Sequence, residues 1–411
     1  MLSALRAYFS FPNLKGRAFH KSFCELLCLN ALLLCGLSES LGASCETCSC
    51  YYCLGPCCVN PSVGPNGCSG DFATTVSGLY WTTHQDGMEF AIENHVAVRI
   101  INPSSDEIEK LNQLVAADYV TPSPKWNYGF KVGASYRGCH DGWDIGAIWT
   151  HYTNTLSTHK NTSDDVAKVL LPLWSAFAPA QGEILFARDI DAKWKLGLDL
   201  IDIPLGRAFW LSHCLSLRPH IGLRLAQIDQ EYDLKHKGGS WSPRLNPTQD
   251  PLSNEVELEN RFKGIGLRAG LDSVWHLGCG FALCSDLAAS IVYGRFRVHH
   301  NEKNTLAMEP HSETKFLETR ESFRASRAML DLVLGIQWAT TFCDCCYRLA
   351  ACLAWEEHYF FHQNQMWRVN RIGDTPIING PSENLSGENV FFQRRGSLDT
   401  QGVTLTVSFE F

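Results

Sequence analysis

The chain has 411 residues, of which 45% are hydrophobic and 19% are charged, and its formal net charge is −8. The hydrophobic fraction excludes a disordered chain, the acidic balance argues against a nucleic-acid partner, and the lack of any apolar run near ~20 residues excludes a helical membrane protein. The 18 cysteines are too many for a reduced cytosolic protein unless metals bind them.

Residues 1–43 are predicted to be a secretory signal sequence. Basic residues from Arg6 to Lys21 precede a short apolar stretch, Phe23–Leu37, and small residues follow around Ala43. This order of charge, apolar core and small-residue cleavage site is typical of exported proteins. A buried N-terminal helix and a lipidated Cys45 are the alternatives. Export places the mature cysteines in an oxidising compartment.

Residues 44–70 form a second segment, which is rich in cysteine, glycine and proline and has no apolar period. We expect it to lie in the periplasm. The spacings of Cys45, Cys48, Cys50 and Cys53 would also suit a zinc site, because four thiolates can bind zinc tetrahedrally. Export and the crowding of further cysteines argue against that site, so no metal and no cofactor are predicted.

Residues 71–411 alternate between apolar and polar side chains over unusually long stretches, which indicates β-strands. In Lys125–Arg137 the apolar residues run from Trp126 to Tyr136 on one face, and the other face is polar, charged or glycine. A strand of about ten residues at ~3.3 Å each, tilted by ~40°, covers about 25 Å, the height of the apolar band of an outer-membrane barrel. A soluble β-sandwich is the alternative, but its strands usually run ~5–6 residues.

The same alternation recurs at 190–200, 217–226, 265–272, 327–338 and 347–356. If the apolar residues face lipid, the charged residues between them face the lumen. The residues predicted in this way to line a pore are Lys131, Arg137, Asp191, Lys193, Lys195, Asp199, Arg218, Arg224, Arg268, Asp272, Arg327, Asp331, Arg348 and Glu356.

The connections between these stretches alternate in length. Short ones fall near 137–143, 201–216, 275–281 and 339–347, and long polar ones fall near 98–124, 154–183, 234–257, 298–322 and 363–397. Outer-membrane barrels have short periplasmic turns and long extracellular loops in the same way. Two periplasmic termini require an even strand number. The predicted fold is therefore all-β, a transmembrane antiparallel barrel of about ten to twelve strands, with up to about 16 if the loops hide more.

The chain ends on an amphipathic strand. Its apolar residues alternate from Val403 to Phe411 with threonine, serine and glutamate. In outer-membrane barrels a closing strand that ends on an aromatic residue is the recognition signal for the assembly machinery. Phe409 and Phe411 are therefore predicted to form a membrane-assembly signal.

Several segments resemble the major outer membrane protein-like porins of chlamydia-related bacteria and the similar pore-forming family of Legionella. The resemblance covers roughly residues 70–411 and rests on Gly78–Trp81, Lys125–Thr150, Leu215–Gln230, Gly264–Asp272, Leu287–Phe296 and the closing strand. It implies a β-barrel porin in a Gram-negative outer membrane and leaves a homotrimer open. The cysteine-rich segment departs from the family pattern.

The predicted function is passive diffusion of small hydrophilic solutes through the barrel. Inward charges of both signs can create a transverse field in a wet channel, or they can pair and fill a closed lumen. A ten-strand barrel is narrow, since eight-strand barrels are already filled by side chains. The alternatives are a structural or adhesive barrel with a plugged lumen and an outer-membrane hydrolase. The sequence contains no GxSxG or HExxH motif, so no enzyme is predicted.

Most mature cysteines map to the periplasmic side. Removal of Cys24, Cys28 and Cys35 from the 18 leaves 15, an odd number that requires at least one free or intermolecular thiol. Intramolecular disulfides and a disulfide network between barrels both remain open, and the chlamydial resemblance supports the network. Predicted partners are outer-membrane lipid, the barrel-assembly machinery and disulfide-linked envelope proteins. The disulfide candidates are Cys45, Cys48, Cys50, Cys53, Cys57, Cys58, Cys68, Cys139, Cys214, Cys279, Cys343, Cys345 and Cys346.

Overall fold

A computed structural model describes residues 63, 70–95, 117–138, 142–162, 168–176, 186–239, 251–306, 310–342, 347–372 and 388–411. The predicted signal sequence 1–43 lies outside the described residues, as does the cysteine-rich segment 44–70 except Val63 and Gly70. The strands in chain order are β1 (Asp71–Gln85), β2 (Ala91–His95), β3 (Ala117–Val120), β4 (Trp126–Arg137), β5 (Trp143–Asn161), β6 (Lys168–Pro172), β7 (Asp189–Arg207), β8 (Phe209–Trp210), β9 (Leu215–Lys237), β10 (Pro251–Gly278), β11 (Phe281–Leu306), β12 (Glu313–Phe342), β13 (Tyr347–Phe360), β14 (Trp367–Ile372), β15 (Glu388–Gln393) and β16 (Leu398–Glu410).

Ten of these strands close into an antiparallel barrel in the order β1, β4, β5, β7, β9, β10, β11, β12, β13 and β16, and β16 pairs back onto β1. The two-residue β8 pairs with the start of β9. Closure gives every barrel strand a partner on both sides, which is what a sheet in lipid needs because no water is there to satisfy an edge. The prediction of an even-numbered antiparallel barrel is confirmed, at the lower end of the expected strand count.

The two ends of the barrel sequence meet at one rim. The backbone N–H groups of Phe72 and Phe411 each donate to the other residue's carbonyl, at 2.8 and 2.9 Å. The described turns at this rim are short, such as the one at 279–280 between β10 and β11. The aromatic rings of Phe409 and Phe411 lie here on the outward face, 5.8 Å apart. We call this end the periplasmic rim, since short turns and termini lie on that side in outer-membrane barrels.

An apolar band surrounds the part of the barrel next to this rim. Its outward side chains are exposed although they are large and apolar, for example Leu267 at 62%, Ile291 at 66% and Leu353 at 56%. Contiguous exposure of this kind marks a surface that faces lipid rather than water. Aromatic residues flank the band, among them Tyr128, Trp143 and Trp338, as expected at the membrane interfaces.

Several strands run far beyond the band. β10, β11 and β12 contain 28, 26 and 30 residues. A strand needs only about 9–11 residues to cross the hydrocarbon region. The extra length projects from the other end, the extracellular end. Parts of the predicted loops 234–257 and 298–322 are therefore strand, which corrects their assignment as loops.

The face that carries the apolar side chains changes along these long strands. In the band, apolar side chains point outward and polar ones inward; above the band, polar side chains point outward into water and apolar ones pack inside. The buried aromatics of the upper interior include Trp81, Trp194, Tyr232, Phe262 and Phe296, from five different strands. The rings of Phe262 and Phe296 lie 4.6 Å apart. The upper barrel is thus closed around a hydrophobic core.

A small three-stranded sheet of β2, β3 and β6, which we call the mouth sheet, adds to that core together with the residues that flank it. The Trp174 indole donates to the Glu89 carbonyl at 2.7 Å, and its ring lies edge-on to Tyr232 at 5.8 Å. The Tyr232 hydroxyl donates to the Met88 carbonyl at 2.9 Å. These contacts hold the mouth sheet against the inner wall of the barrel, within its extracellular half. Among the described residues, the structure has no helix that is long and apolar enough to cross a membrane.

Candidate functional site in the barrel lumen

The centre of the lumen is occupied by an ionic cluster built around Arg224 and Asp331. The Arg224 guanidinium lies 2.7 Å from Asp331 and 2.6 Å from Asp202. β9 and β12 are three strands apart in the sheet order, so the contact between Arg224 and Asp331 crosses the interior. The two side chains are only 2% and 1% exposed.

Further residues extend the cluster across the barrel. Arg268 reaches both Asp331 and Asp286 at 3.2 Å and His220 at 2.8 Å. His358 lies 2.8 Å from Asp331 and 3.3 Å from Glu356. Lys131 on β4 contacts Glu356 on β13, again across three strands. We name Lys131, Asp202, His220, Arg224, Arg268, Asp286, Asp331, Glu356 and His358 the lumen cluster.

A second set of ion pairs lies nearer the periplasmic rim. Arg218 contacts Asp144 at 2.8 Å and Asp272 at 2.6 Å, and Arg348 contacts Glu410 at 2.8 Å. Arg137 lies 3.9 Å from Asp71. A cavity of about 180 Å³ lies among them and is lined by Asp71, Arg137, Asp144, Arg218 and Glu410.

Burial shows how accessible this interior is to water. Side chains that line a water-filled channel remain exposed to water. Glu356 is 5% exposed, Arg224 and Asp331 are 1% exposed each, and the core above them is apolar. At the level of the lumen cluster the described side chains pack against one another and are shielded from solvent, as in narrow barrels whose interior is occupied by side chains.

The structure places the predicted pore-lining residues unevenly. Those in the spanning part lie on the inward face: Lys131, Arg137, Arg218, Arg224, Arg268, Asp272, Asp331, Arg348 and Glu356. Arg327 also points inward but lies higher, with its guanidinium 4.9 Å from the centre of the Phe296 ring.

The inward assignment of Asp191, Lys193, Lys195 and Asp199 is wrong. Their neighbours Ile190, Ala192, Trp194, Leu196, Leu198 and Leu200 are the residues buried in the core, at 0–2% exposure. The charged residues lie on the outward face of β7 above the apolar band. Lys195, for instance, contacts Glu231 of β9 at 2.7 Å. The apolar run of β7 packs inside the barrel and not against lipid, which reverses the phase expected from the sequence.

Four members of the lumen cluster are not among the residues predicted from the sequence: Asp202, His220, Asp286 and His358. A signal for Asp202 exists: Ile201, Ile203 and Leu205 continue the alternation of β7 on the opposite parity from Ile190–Leu200. Reading the lipid-facing phase from this lower end places Asp202 inside. The contacts across the lumen carry no comparable sequence signal.

The mouth sheet has two ion pairs of its own, both made by one carboxylate. Glu93 on β2 contacts Lys160 at 2.5 Å and Lys168 at 3.4 Å. Burial alone would raise the pKa of the Glu93 carboxyl, but the two ammonium groups outweigh that effect and hold its pKa below the usual value. These two ion pairs tie β2 to β5 and β6 and help to keep the mouth sheet in place.

Of the predicted disulfide candidates, only Cys214 and Cys279 fall within the described residues. Both lie in turns at the periplasmic rim, as expected from the sequence. Cys45, Cys48, Cys50, Cys53, Cys57, Cys58, Cys68, Cys139, Cys343, Cys345 and Cys346 lie outside the described residues. Two cysteines outside the predicted set, Cys284 on β11 and Cys352 on β13, point into the lumen with their Sγ atoms 2.9 Å apart.

Among solved structures, the chain is similar to the outer membrane protease OmpT from Escherichia coli, with 11% identity, 83% of this chain and 96% of that chain covered, and a TM-score of 0.34. It is also similar to the Pseudomonas putida toluene transporter TodX, with 11% identity, coverages of 85% and 92%, and a TM-score of 0.27. A Pseudomonas aeruginosa FadL homologue shares 6% identity, with coverages of 84% and 90% and a TM-score of 0.22. At these scores the likenesses carry no information on mechanism.

No curated protein matches the chain. A family model does, the one described as the Legionella pneumophila major outer membrane protein precursor, and it matches residues 67–411. The match spans the whole barrel, and the barrel has the closed antiparallel sheet, apolar band and aromatic flanks of a protein that spans the bacterial outer membrane. The chain therefore belongs to the Legionella major outer membrane protein family.

Proposed function

We propose that this outer-membrane barrel has a sealed lumen and serves as a structural, surface-exposed component of the envelope. The observation that carries the proposal is the contact between Arg224 and Asp331, which crosses the lumen with both side chains almost fully buried. This favours the plugged barrel, which was the alternative to the predicted diffusion pore.

Two different closures act in series. The lumen cluster fills the spanning part, and the apolar core with the mouth sheet fills the extracellular half. Opening the first requires separation of buried ion pairs, and a charge that stays buried without its partner costs about 3–5 kcal/mol. Opening the second exposes several large side chains to water, at about 1.5–3 kcal/mol each. A passage through both would demand a large part of the stability of an ordinary domain.

A narrow diffusion channel for small hydrophilic solutes is the second candidate, and a specific observation favours it. The cavity of about 180 Å³ at the periplasmic rim is lined by charged groups. Inward polar atoms above it, namely both side-chain polar atoms of Gln230, Oδ1 of Asp286 and Oγ of Ser290, have no hydrogen-bond partner among the described residues. Such groups are usually satisfied by water. A continuous row of water molecules along these polar side chains would then form the path through the channel.

Solute flux distinguishes the two candidates. The full-length barrel is reconstituted into liposomes beside a general diffusion porin, and swelling is followed in isotonic solutions of small sugars and amino acids. A sealed barrel gives swelling at the rate of protein-free liposomes. Size-dependent swelling that approaches the rate of the porin control would establish the channel instead.

An enzymatic role is not proposed. His358 and Asp331 have the 2.8 Å contact of a general base with its orienting carboxylate. However, the other ring nitrogen of His358 faces Glu356, and the pair is buried inside the lumen cluster. A substrate would have to displace that cluster to reach the imidazole.

We further propose that rim cysteines link barrels to one another or to other envelope proteins through disulfides. The support is positional, since Cys214 and Cys279 lie in turns on the periplasmic side, where the compartment is oxidising. Gel electrophoresis of isolated envelopes with and without reductant tests this. Cross-linked species that collapse to the monomer on reduction are expected, and a monomer band without reductant would contradict it. A homotrimer remains a prediction, for which cross-linking of the native envelope is the measurement.

A further inference from the structure

We propose that the outward face of β10, β11 and β12 carries a binding site for the phosphate groups of lipid A, the phosphorylated glycolipid of the outer leaflet. The site consists of Lys263, Arg295, Arg297 and Arg324, which we call the cationic row. All four side chains are exposed.

The register of the sheet brings these charges side by side. Lys263 is the direct cross-strand partner of Arg295, and Arg295 is the direct partner of Arg324. Arg297 lies two residues further along β11 on the same face. Adjacent strands are about 4.8 Å apart, so three cations fall within a width of about 10 Å.

Like charges directly opposite one another destabilise a sheet. The structure shows no ion pair between these four side chains and any acid among the described residues. Two acids on the same face as the cationic row pair with other arginines. Glu259 contacts Arg261 at 3.1 Å, and Glu318 contacts Arg320 at 2.7 Å. Asp229, opposite Arg261 in register, accepts a hydrogen bond from Gln227. An external anion is therefore the partner that would relieve the repulsion.

The height of the row identifies that anion. Ile265 and Tyr293, cross-strand partners two residues closer to the periplasmic rim, are 53% and 55% exposed and form the upper edge of the apolar band. The cationic row thus lies directly above the lipid-facing surface, at the level of the headgroups of the outer leaflet. Lipid A carries phosphate at that level. Arginine binds phosphate with paired, charge-assisted hydrogen bonds, and basic clusters beside a membrane recognise anionic headgroups.

The row is local and does not belong to a belt around the barrel. In register with Lys263, the outward residue is Gln227 on β9 and then Asp199 on β7. The outward lysines of that side pair with acids, as Lys195 does with Glu231 and Lys235 with Glu255. This contrast supplies a matched control.

The test measures binding of purified lipid A to the delipidated full-length barrel by native mass spectrometry at fixed salt. The site variant combines Lys263→Gln, Arg295→Gln and Arg324→Gln, and the control variant combines Lys193→Gln, Lys195→Gln and Lys235→Gln. Heat-modified mobility on gels verifies that each variant is folded. The site variant is expected to bind lipid A about 100-fold more weakly, from about fivefold per cation near an anionic membrane surface. The control variant is expected to bind as the parent does.

Dephosphorylated lipid A is the second probe, and phosphatidylglycerol is the third. Weak binding of both to the parent, with no further loss in the site variant, supports the assignment. The assignment is overturned if the site variant keeps the parent's affinity, if the control variant loses as much, or if either probe binds the parent as tightly as lipid A.

Discussion

At the scale of single residues, filling a barrel with the charged side chains of the lumen cluster is energetically unfavourable unless each charge is well paired. Moving charges out of water carries a desolvation penalty that good geometry only just offsets, and apolar side chains of similar volume are often no worse. The upper half of the same barrel is filled with aromatic and aliphatic side chains. Each charge in the spanning half therefore depends on its partners, and Asp331, which contacts Arg224, Arg268 and His358, has the most to lose.

Replacing Asp331 by Asn tests this dependence. The change leaves two buried guanidinium groups without their shared carboxylate, and loss of about 3–5 kcal/mol of unfolding free energy is expected. Asp199→Asn is the control, because Asp199 is 37% exposed and its pairing with His151 lies at the surface. The control should cost no more than about 1 kcal/mol. Denaturant unfolding in detergent measures both, and equal losses would contradict the assignment of a buried cluster.

A second prediction at this scale concerns Cys284 and Cys352. Their Sγ atoms are 2.9 Å apart within the lumen, with β12 between their strands. Treatment of the folded protein with a small oxidant that accepts two electrons and two protons should join them in an intramolecular disulfide. Peptide mapping without reductant identifies the linked peptide. The same peptides recovered only as separate thiols, under conditions that oxidise exposed Cys279, would contradict this.

At the scale of elements, β7 shows how one strand can hold two opposite amphipathic patterns. Its lower part places Ile201 and Leu205 toward lipid and Asp202 inward; its upper part places Trp194 and Leu196 inward and Lys195 toward water. The side-chain period of two is unbroken, because the parity of inward residues stays even throughout. Only the surroundings change, from lipid outside to water outside.

Cysteine substitution tests directly which side chains of the upper part of β7 face outward. In intact cells, a membrane-impermeant maleimide should label Lys195→Cys, because position 195 lies on the outer surface above the apolar band. Leu196→Cys should remain unlabelled, because position 196 is buried in the core. Site-specific labelling is quantified by peptide mapping. Labelling at position 196 with protection at position 195 would contradict this orientation. It would support the one expected from the sequence, with Lys195 inward and Leu196 outward.

The sequence predicts an element well where the strand crosses only the membrane. β4 is such a case: the apolar face from Trp126 to Tyr136 is outward and Lys131 is inward, as expected. The predicted orientation of β7 is wrong because its longest apolar run belongs to the core. Alternation alone does not distinguish a face toward lipid from a face toward a protein interior. The lumen cluster could not be predicted in full from the sequence, for another reason. Alternation gives the face of each residue, but not which residues of non-adjacent strands meet across the lumen.

At the scale of the whole molecule, strand number and strand length together decide what the barrel can do. Ten strands enclose a narrow interior, which the lumen cluster and the apolar core occupy apart from the cavity at the periplasmic rim. The strands that outrun the membrane carry the core and the mouth sheet into the extracellular space. On the proposed function, these described side chains seal the lumen, while the outer surface of the barrel faces lipid in the band and water above it.

Single-channel recording in planar bilayers tests this closure most directly. With the full-length protein inserted in the bilayer without reductant, a sealed lumen predicts a flat baseline at ordinary potentials and in molar salt. Arg224→Ala and Asp331→Ala combined should add no large steps, since the apolar core still blocks the extracellular half. Regular, ohmic conductance steps from the unmodified protein would contradict the sealed lumen and establish a diffusion channel.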